Sequence, residues 1–322
     1  MNGVMEIASE GKRPHGGFGC GIDPERGQSR IGNNGRVQNC GASVFQEGKR
    51  DAKRRPAAER HTNRAGKEKE QMIPLLKLAI EAHGGLERWR QVHGIDLKLT
   101  IGGGLWQLKG LPLGLVDVAL HVEPAHRLVT ITPFGPEGAA GYFTPDRVWI
   151  QKPQGDVMQE RSAPRRSFDG HTLTTPWDKL HELYFVSYAF LNYVSTPFLF
   201  AEPGFEVAEG NPYFGAGEKW RRLHVKYPAA YPTHSREQTL YFNEEGLLQR
   251  LDYVVEVVQA SSSHFCLGYE TVDGIVFPTQ RRALGRDPQQ EEPDRSAPPG
   301  VEVTITDIHI LNQRDISALG GS

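Results

Sequence analysis

The segment Pro176–Ala201 constrains the fold more than any other part of this sequence. It contains eight aromatic residues, and no charged residue occurs from Leu183 to Ala201. Asp178 is a residue type that caps helices, and Pro197 should end the helix, because proline lacks a backbone donor and disfavours helix at the residue before it. The sequence therefore predicts a helix over about 178–195 that is apolar almost all round. A helix of that kind must be surrounded by other structure.

A membrane-spanning helix is the alternative interpretation of this segment. A span needs about 20 predominantly apolar residues. Here the polar or helix-breaking residues Ser187, Asn192, Ser195 and Pro197 interrupt the run. We therefore expect no integral membrane insertion.

From Ile95 onwards the hydrophobic period changes to two. Apolar residues alternate with polar ones from Ile95 to Ile101, which is typical of a half-buried strand. Similar runs follow, separated by turn signals such as Val272-Asp273-Gly274. The predicted strands are Ile95–Ile101 with its continuation over Leu105–Lys109 after a bend at Gly102–Gly104, Leu115–Glu123, His126–Phe134, Tyr142–Gln151, Phe205–Glu209, Lys219–Tyr227, Thr239–Asn243, Leu247–Val258, Ser263–Thr271, Ile275–Leu284 and Val301–Leu311.

This pattern predicts a mainly β fold of the α+β kind. No β–α–β alternation appears, which argues against a parallel sheet. An antiparallel sheet of about ten to eleven strands must curl or close to keep its inner face dry. We therefore expect a large curved antiparallel sheet, a half-barrel, around the central aromatic helix. A further helix should begin near Met72, with Pro74 in its first turn.

Composition divides the chain into three parts. Residues 1–71 carry 14 Lys and Arg against 9 Asp and Glu, with few hydrophobic residues and no periodicity. We expect a disordered polar, basic leader there. The alternatives are a basic arm that binds nucleic acid or anionic lipid, and a natural start at Met72. Residues 72–315 should form a single domain and 316–322 a flexible tail. The acidic balance of the body argues against a nucleic-acid surface.

The cysteines give no framework for disulfides or zinc. Cys20, Cys40 and Cys266 are three in number and far apart. No signal peptide or lipobox is present in the first thirty residues. From these two observations we expect a cytoplasmic location.

At this point the chain resembles the bacterial lipoprotein carriers, the LolA/LolB-like half-barrels. The features that carry the resemblance are the opening helix closed by Ala82-His83-Gly84-Gly85, the strand meander, the hairpin Tyr241–Leu248, and Asp273–Pro278 leading into Thr279–Arg282. The resemblance covers roughly 72–315. It implies a strongly curved sheet plugged by helices, with acyl chains held on the concave side. The chain departs from that family in having no signal sequence and no lipidated cysteine. It is still more similar to soluble bacterial proteins with a W-D-x-L-H…Y-F…Y-A…P-F segment.

No catalytic motif is recognisable. His181-Glu182 begins an H-E-x-x-H pattern, but Phe185 stands where the second His is needed. Without that pair, or any close Cys/His pair, the sequence predicts no metal site and no cofactor. Cys266 and His264 share a strand face, and we interpret the cysteine as a core thiol. We expect Glu182 to meet solvent or an arginine.

The sequence favours binding of a lipid or other hydrophobic small molecule in the concave cleft. Two alternatives remain: an enzyme that uses His181, Glu182 or His264 as acid or base in that cleft, and a plain core without a ligand. The oligomeric state stays open. The predicted ligand-binding residues are aromatic or amphipathic, and they are Trp177, His181, Phe185, Tyr188, Asn192, Tyr193, Phe198, Trp106 and Trp149.

Overall fold

The computed structural model describes residues 72–111, 114–215 and 217–312. The predicted leader over 1–71 and the predicted tail over 316–322 lie outside the described residues. The α-helices are α1 (Pro74–Ala82), α2 (Leu86–Trp89), α3 (Gly104–Leu108) and α4 (Lys179–Ser195). Short 3₁₀ helices lie at Pro136–Gly138, Pro164–Phe168 and Phe198–Ala201.

Within the described residues, fourteen strands form one antiparallel sheet. They are β1 (Val92–Gly102), β2 (Leu115–Glu123), β3 (Leu128–Thr132), β4 (Ala140–Thr144), β5 (Arg147–Gln151), β6 (Val157–Ser162), β7 (Glu206–Glu209), β8 (Tyr213–Gly215), β9 (Glu218–Lys226), β10 (Glu237–Phe242), β11 (Leu248–Val255), β12 (Ala260–Val272), β13 (Ile275–Gly285) and β14 (Val301–Asn312).

The strand order places the first and last strands side by side. It runs β6-β5-β4-β3-β2-β1-β14-β13-β12-β11-β10-β9-β7, and β8 pairs with β9. Ile95 of β1 lies opposite Ile310 of β14, and β14 pairs on its other side with β13. Strand β14 therefore joins the β1–β6 half of the sheet to the β7–β13 half.

Helix α4 lies inside the curve of this sheet, as the sequence predicted. Asp178 is its N-cap and forms a capping box with His181. Every residue from Leu180 to Ser195 is buried. None of the helices in the described ranges has the length and apolarity that a membrane span requires.

The contacts of α4 show that the sheet curves around it. On one side the helix packs on β2 to β6. It approaches β4 so closely that a Cβ built on Gly141 would lie 2.6 Å from Cδ1 of Leu183. On the other side, the ring of Tyr193 meets that of His264 on β12, with centroids 4.8 Å apart. Arg281 on β13 donates a hydrogen bond to the Tyr193 carbonyl oxygen, at 3.2 Å.

The structure differs from the sequence prediction in a few elements. The predicted strand Leu105–Lys109 was wrong, because Gly103 turns the chain with φ +111° into helix α3. Tyr142–Gln151 contains two strands, β4 and β5. Strands β6 and β8 were missed. Nearly all of β6 is exposed and β8 has only three residues, so neither leaves the alternating pattern that marks a half-buried strand.

Candidate functional site

An apolar pocket lies on the helix side of the sheet. It has a volume of about 340 Å³ and is bounded by α3, α4, strands β11 to β13, and the loop that leads into β14. That volume falls within the range of about 300–1,000 Å³ that is usual for small-molecule sites. Most of its described lining residues are Leu, Val, Ala, Pro or Gly, and none is Asp, Glu, Lys or Arg.

Two leucines form the rim of the pocket. Leu108 ends α3 and is 47% exposed, and Leu173 precedes α4 and is 41% exposed. Both side chains line the cavity and also reach solvent, so the rim is apolar where the cavity meets water.

Hydrogen bonds between distant parts of the chain hold the pocket wall together. The backbone N–H of Gly104 donates to the carbonyl oxygen of Pro299 at 3.1 Å, and that of Leu105 donates to Gly300 at 2.9 Å. The close approach depends on Gly103, where a Cβ would lie 2.5 Å from the Gly300 oxygen. Helix α3 and the end of the loop before β14 therefore form one wall.

Three aromatic side chains, Tyr193, His234 and Tyr253, form what we call the pocket floor. The imidazole of His234 lies between two hydroxyl groups. Its Nδ1 is 3.0 Å from the hydroxyl of Tyr188, and its Nε2 is 3.3 Å from that of Tyr193. The Tyr253 hydroxyl lies 3.0 Å from Nδ1 of His264. The polar atoms of the floor thus have partners within the protein.

The pocket floor is polar but uncharged. Burial, with a smaller contribution from the charge of Arg165, lowers the pKa of His234 to about 3. Burial also lowers the pKa of His264 well below its usual value. The pKa of Tyr193 is raised to about 12 by burial. At neutral pH these groups are all neutral, so nothing on the floor attracts an ion.

No family model matches the sequence, and no curated protein sequence matches it. Among solved structures, a LolA superfamily protein from Nitrosomonas europaea is 10% identical, with 75% of this chain and 94% of that chain covered and a TM-score of 0.42. A putative outer membrane lipoprotein-sorting protein domain from Vibrio parahaemolyticus is 10% identical, with 76% and 98% covered and a TM-score of 0.36. A DUF1329 family protein from Desulfovibrio piger is 12% identical, with 73% and 91% covered and a TM-score of 0.35.

The sequence predicted a large curved antiparallel sheet around a central helix. The strand order and the burial of α4 given above show that fold.

Some of the predicted ligand-binding residues meet at this pocket. Phe185 and Tyr193 line it. Trp177 and Trp106 lie behind Phe185, with ring centroids 5.0 and 6.1 Å from that of Phe185. Tyr188 is fully buried and reaches the floor only through His234. Their role in binding a ligand stays a prediction.

Other predicted residues lie elsewhere. Asn192 donates from its amide to the carbonyl oxygens of Tyr188 and Pro232. His181 packs on Phe168, with ring centroids 4.7 Å apart. Phe198 stacks on Trp89 at 4.4 Å and Trp149 stacks on Tyr142 at 5.1 Å. Trp149 lies between the buried residues Val148 and Ile150, so it faces the opposite side of the sheet.

The residues proposed for an enzyme do not line the pocket. His181, Glu182 and His264 are all absent from its described lining. The prediction that Glu182 meets solvent or an arginine was wrong. Its carboxylate is fully buried and accepts a hydrogen bond from Lys179 Nζ at 2.6 Å. Burial on all sides of α4 explains the difference, and burial raises the pKa of Glu182.

His234, Tyr253 and both rim leucines were not among the predicted ligand-binding residues. Tyr253 lies on a strand whose residues are nearly all buried, so alternation does not single it out. His234 lies in an irregular segment with no periodicity. The aromatic cluster Tyr227–Tyr231 just before it was the one available signal.

Proposed function

We propose that this protein binds an apolar small molecule, such as a single acyl chain, in the apolar pocket. The observation that carries the proposal is the cavity itself, which has about 340 Å³ of space and no charged residue among its described lining residues. Pockets that are mostly apolar with a few placed polar groups suit hydrophobic ligands. The polar atoms of the floor are bonded to one another, so a ligand there gains mainly apolar contact.

The lining of the pocket also favours one orientation of a fatty acid. A carboxylate placed on the floor would lose its hydration without meeting a cation. At the rim, beside the half-exposed Leu108 and Leu173, it would stay in water. The chain should therefore enter with its methyl end first and leave its carboxylate at the rim.

A chain-length series tests this proposal directly. Each methylene that is buried contributes about 0.8 kcal/mol, which corresponds to a roughly fourfold gain in affinity. We expect the affinities of saturated fatty acids, measured by displacement of a fluorescent fatty-acid probe, to rise with length until the pocket is full and then to level off.

Filling the pocket provides the matching control. Ala283 on β13 lines the pocket, whereas Ala208 on β7 is exposed outside it. Ala283→Phe should weaken probe binding at least tenfold, and Ala208→Phe should leave it unchanged. Thermal midpoints show whether both variants remain folded. Equal binding by the parent and Ala283→Phe, or no probe binding by the parent, would contradict the proposal.

A further inference from the structure

A group of histidine and glutamate side chains lies at one end of strands β1 to β3, away from the apolar pocket. His93 is near the start of β1, Glu123 ends β2, and His126 lies in the turn between β2 and β3. One possible ligand atom from each of these three side chains lies within 4.8 Å of the other two. The rings of His93 and His126 meet edge to face, with centroids 5.7 Å apart.

Each oxygen of the Glu123 carboxylate lies close to a histidine nitrogen. Its Oε2 lies 2.6 Å from Nδ1 of His126, and its Oε1 lies 3.3 Å from Nε2 of His121. The other ring nitrogen of His121, Nδ1, lies 2.7 Å from Oδ1 of Asp96. His121 therefore bridges two carboxylates and fixes the direction of one Glu123 oxygen.

The backbone makes room for this arrangement. The register between β1 and β14 shifts between Val92 and Gly94, so His93 is an extra residue in the strand. A Cβ built on Gly94 would lie 2.8 Å from Cε1 of His121. Because glycine has no Cβ, this clash does not occur. The position of the His121 ring thus depends on a glycine beside it.

We propose that His93, Glu123 and His126 bind a divalent transition-metal ion, with Zn²⁺ as the best match. Two imidazole nitrogens and one carboxylate oxygen are donors that zinc prefers, and three protein ligands leave its fourth position for water. Ligand atoms around a tetrahedral zinc with bonds of about 2.0–2.2 Å lie roughly 3.4 Å apart. The present ligand atoms lie within 4.8 Å of one another, so they would have to approach by at most roughly 1.4 Å to reach that spacing.

In this proposal the ion replaces the hydrogen bond between Glu123 and His126. Zinc binds an imidazole through a nitrogen lone pair, so its binding to His126 competes with the contact between His126 and Glu123. His121 and Asp96 stay outside the ligand set and orient Glu123, in the way that outer hydrogen bonds commonly fix metal ligands. The prediction of no metal site rested on the missing second His at position 185 and on the absence of close Cys/His pairs. It did not consider His93, which lies 30 residues before Glu123 in the chain.

Zinc and cobalt titrations of the full chain, stripped of metal by chelator, test the site. We expect calorimetry to show one equivalent of Zn²⁺ that is lost in His93→Ala and weakened at least tenfold in Glu123→Gln. Asp96→Asn should weaken binding less than Glu123→Gln does. Bound Co²⁺ should give the visible absorption of a four-coordinate nitrogen and oxygen site in the parent and not in His93→Ala.

His224→Ala provides the matched control, because His224 is an exposed histidine on β9 at the far side of the sheet. It should bind zinc as the parent does. Urea unfolding shows that each variant is folded. The proposal is overturned if the parent binds no zinc at micromolar concentration, or if His93→Ala and Glu123→Gln bind zinc as tightly as the parent. The second result would place the binding elsewhere in the chain.

Discussion

The imidazole of His234 lies flat on the ring of Tyr253, with centroids 4.4 Å apart and only 6° between the two planes. Its two nitrogens face the hydroxyls of Tyr188 and Tyr193. One neutral side chain thereby satisfies two buried hydroxyl groups and forms the centre of the pocket floor.

His234→Phe should therefore destabilise the protein strongly. It keeps the ring but removes the His234 nitrogens that both hydroxyls face. The Tyr193 hydroxyl keeps its hydrogen bond with Tyr253, so the main loss is at the Tyr188 hydroxyl, and such a loss costs roughly 1–3 kcal/mol. We expect urea unfolding to show a loss of about 1–3 kcal/mol. The double variant that also carries Tyr188→Phe should recover part of this loss, because it removes the hydroxyl that lost its partner. A double variant less stable than His234→Phe would show that this hydrogen bond is not the cause.

Charged substitutions at the rim of the pocket should weaken ligand binding. Leu108→Asp and Leu173→Asp place a carboxylate where we expect that of a fatty acid, so each should weaken probe binding about fivefold or more through repulsion and lost apolar contact. Leu267→Asp is the matched control, because Leu267 is similarly exposed, at 43%, and lies outside the pocket lining. Equal weakening in all three variants would argue against a specific entrance at the rim.

Truncation of buried leucines in α4 should lower the stability of the protein. Leu183 and Leu191 are fully buried. Leu183→Ala or Leu191→Ala should each lower the free energy of unfolding by about 2–5 kcal/mol, as truncations of core residues do. Leu173→Ala, at the half-exposed rim, should change it by about 0.5 kcal/mol or less. Chemical denaturation of the three variants makes the comparison, and a small effect at Leu191 would mean that α4 packs loosely.

Stability should fall as the pH is lowered below about 6.5. Burial, with a smaller contribution from Arg281, lowers the pKa of His83 to about 4, and the pKa of His234 is about 3. In the unfolded chain both return to about 6.5. Below that pH the two histidines become protonated in the unfolded state but stay neutral in the folded state. The free energy of unfolding therefore decreases. Above pH 6.5 both states are neutral and these groups have no effect.

The measurement is urea unfolding between pH 7 and pH 5. Each fully contributing histidine adds a slope of about 1.4 kcal/mol per pH unit. Glutamine does not titrate. His83→Gln should therefore reduce the slope of the unfolding free energy with pH, in this window, by up to about 1.4 kcal/mol per pH unit. An unchanged slope in His83→Gln would mean that His83 is protonated in the folded protein.

Removal of residues 1–71 is predicted to leave the fold intact. The sequence over 1–70 offers no periodic apolar face that could pack on the domain. A chain that begins at Met72 should therefore have the same thermal midpoint as the full chain. A drop of more than a few degrees would show that the leader contributes to stability.

The sequence predicted those elements whose signals are local, such as strand alternation and the residues that begin or end a helix. Alternation marks Leu115–Glu123 as a strand, and the structure has β2 at those same residues. Asp178 and Pro197 bracket α4 as predicted, since capping and proline act locally. Leu105–Lys109 was predicted as a strand but belongs to the short helix after Gly103. A short helix and a short strand can have similar runs of apolar residues, so the sequence pattern does not distinguish them.

The site was less accessible to such reasoning. Phe185 and Tyr193 could be named because α4 was recognised, but the pocket also needs residues from β11 to β13 and from the loop before β14. His234 and Tyr253 meet only through the curvature of the sheet, which no local pattern encodes. The group of His93, Glu123 and His126 depends in the same way on the pairing of β1 with β2.

The position of β14 has a consequence for synthesis on the ribosome. Strand β14 follows all other described strands in the chain, yet no other described strand links β1 to β13. Until β14 emerges, the nascent chain can form only two separate sheets, each with an open edge at β1 or β13. Open edges readily pair with other chains. Pairing of β14 is therefore the step that removes both edges at once, and the interval before it is when the nascent protein most needs protection from aggregation.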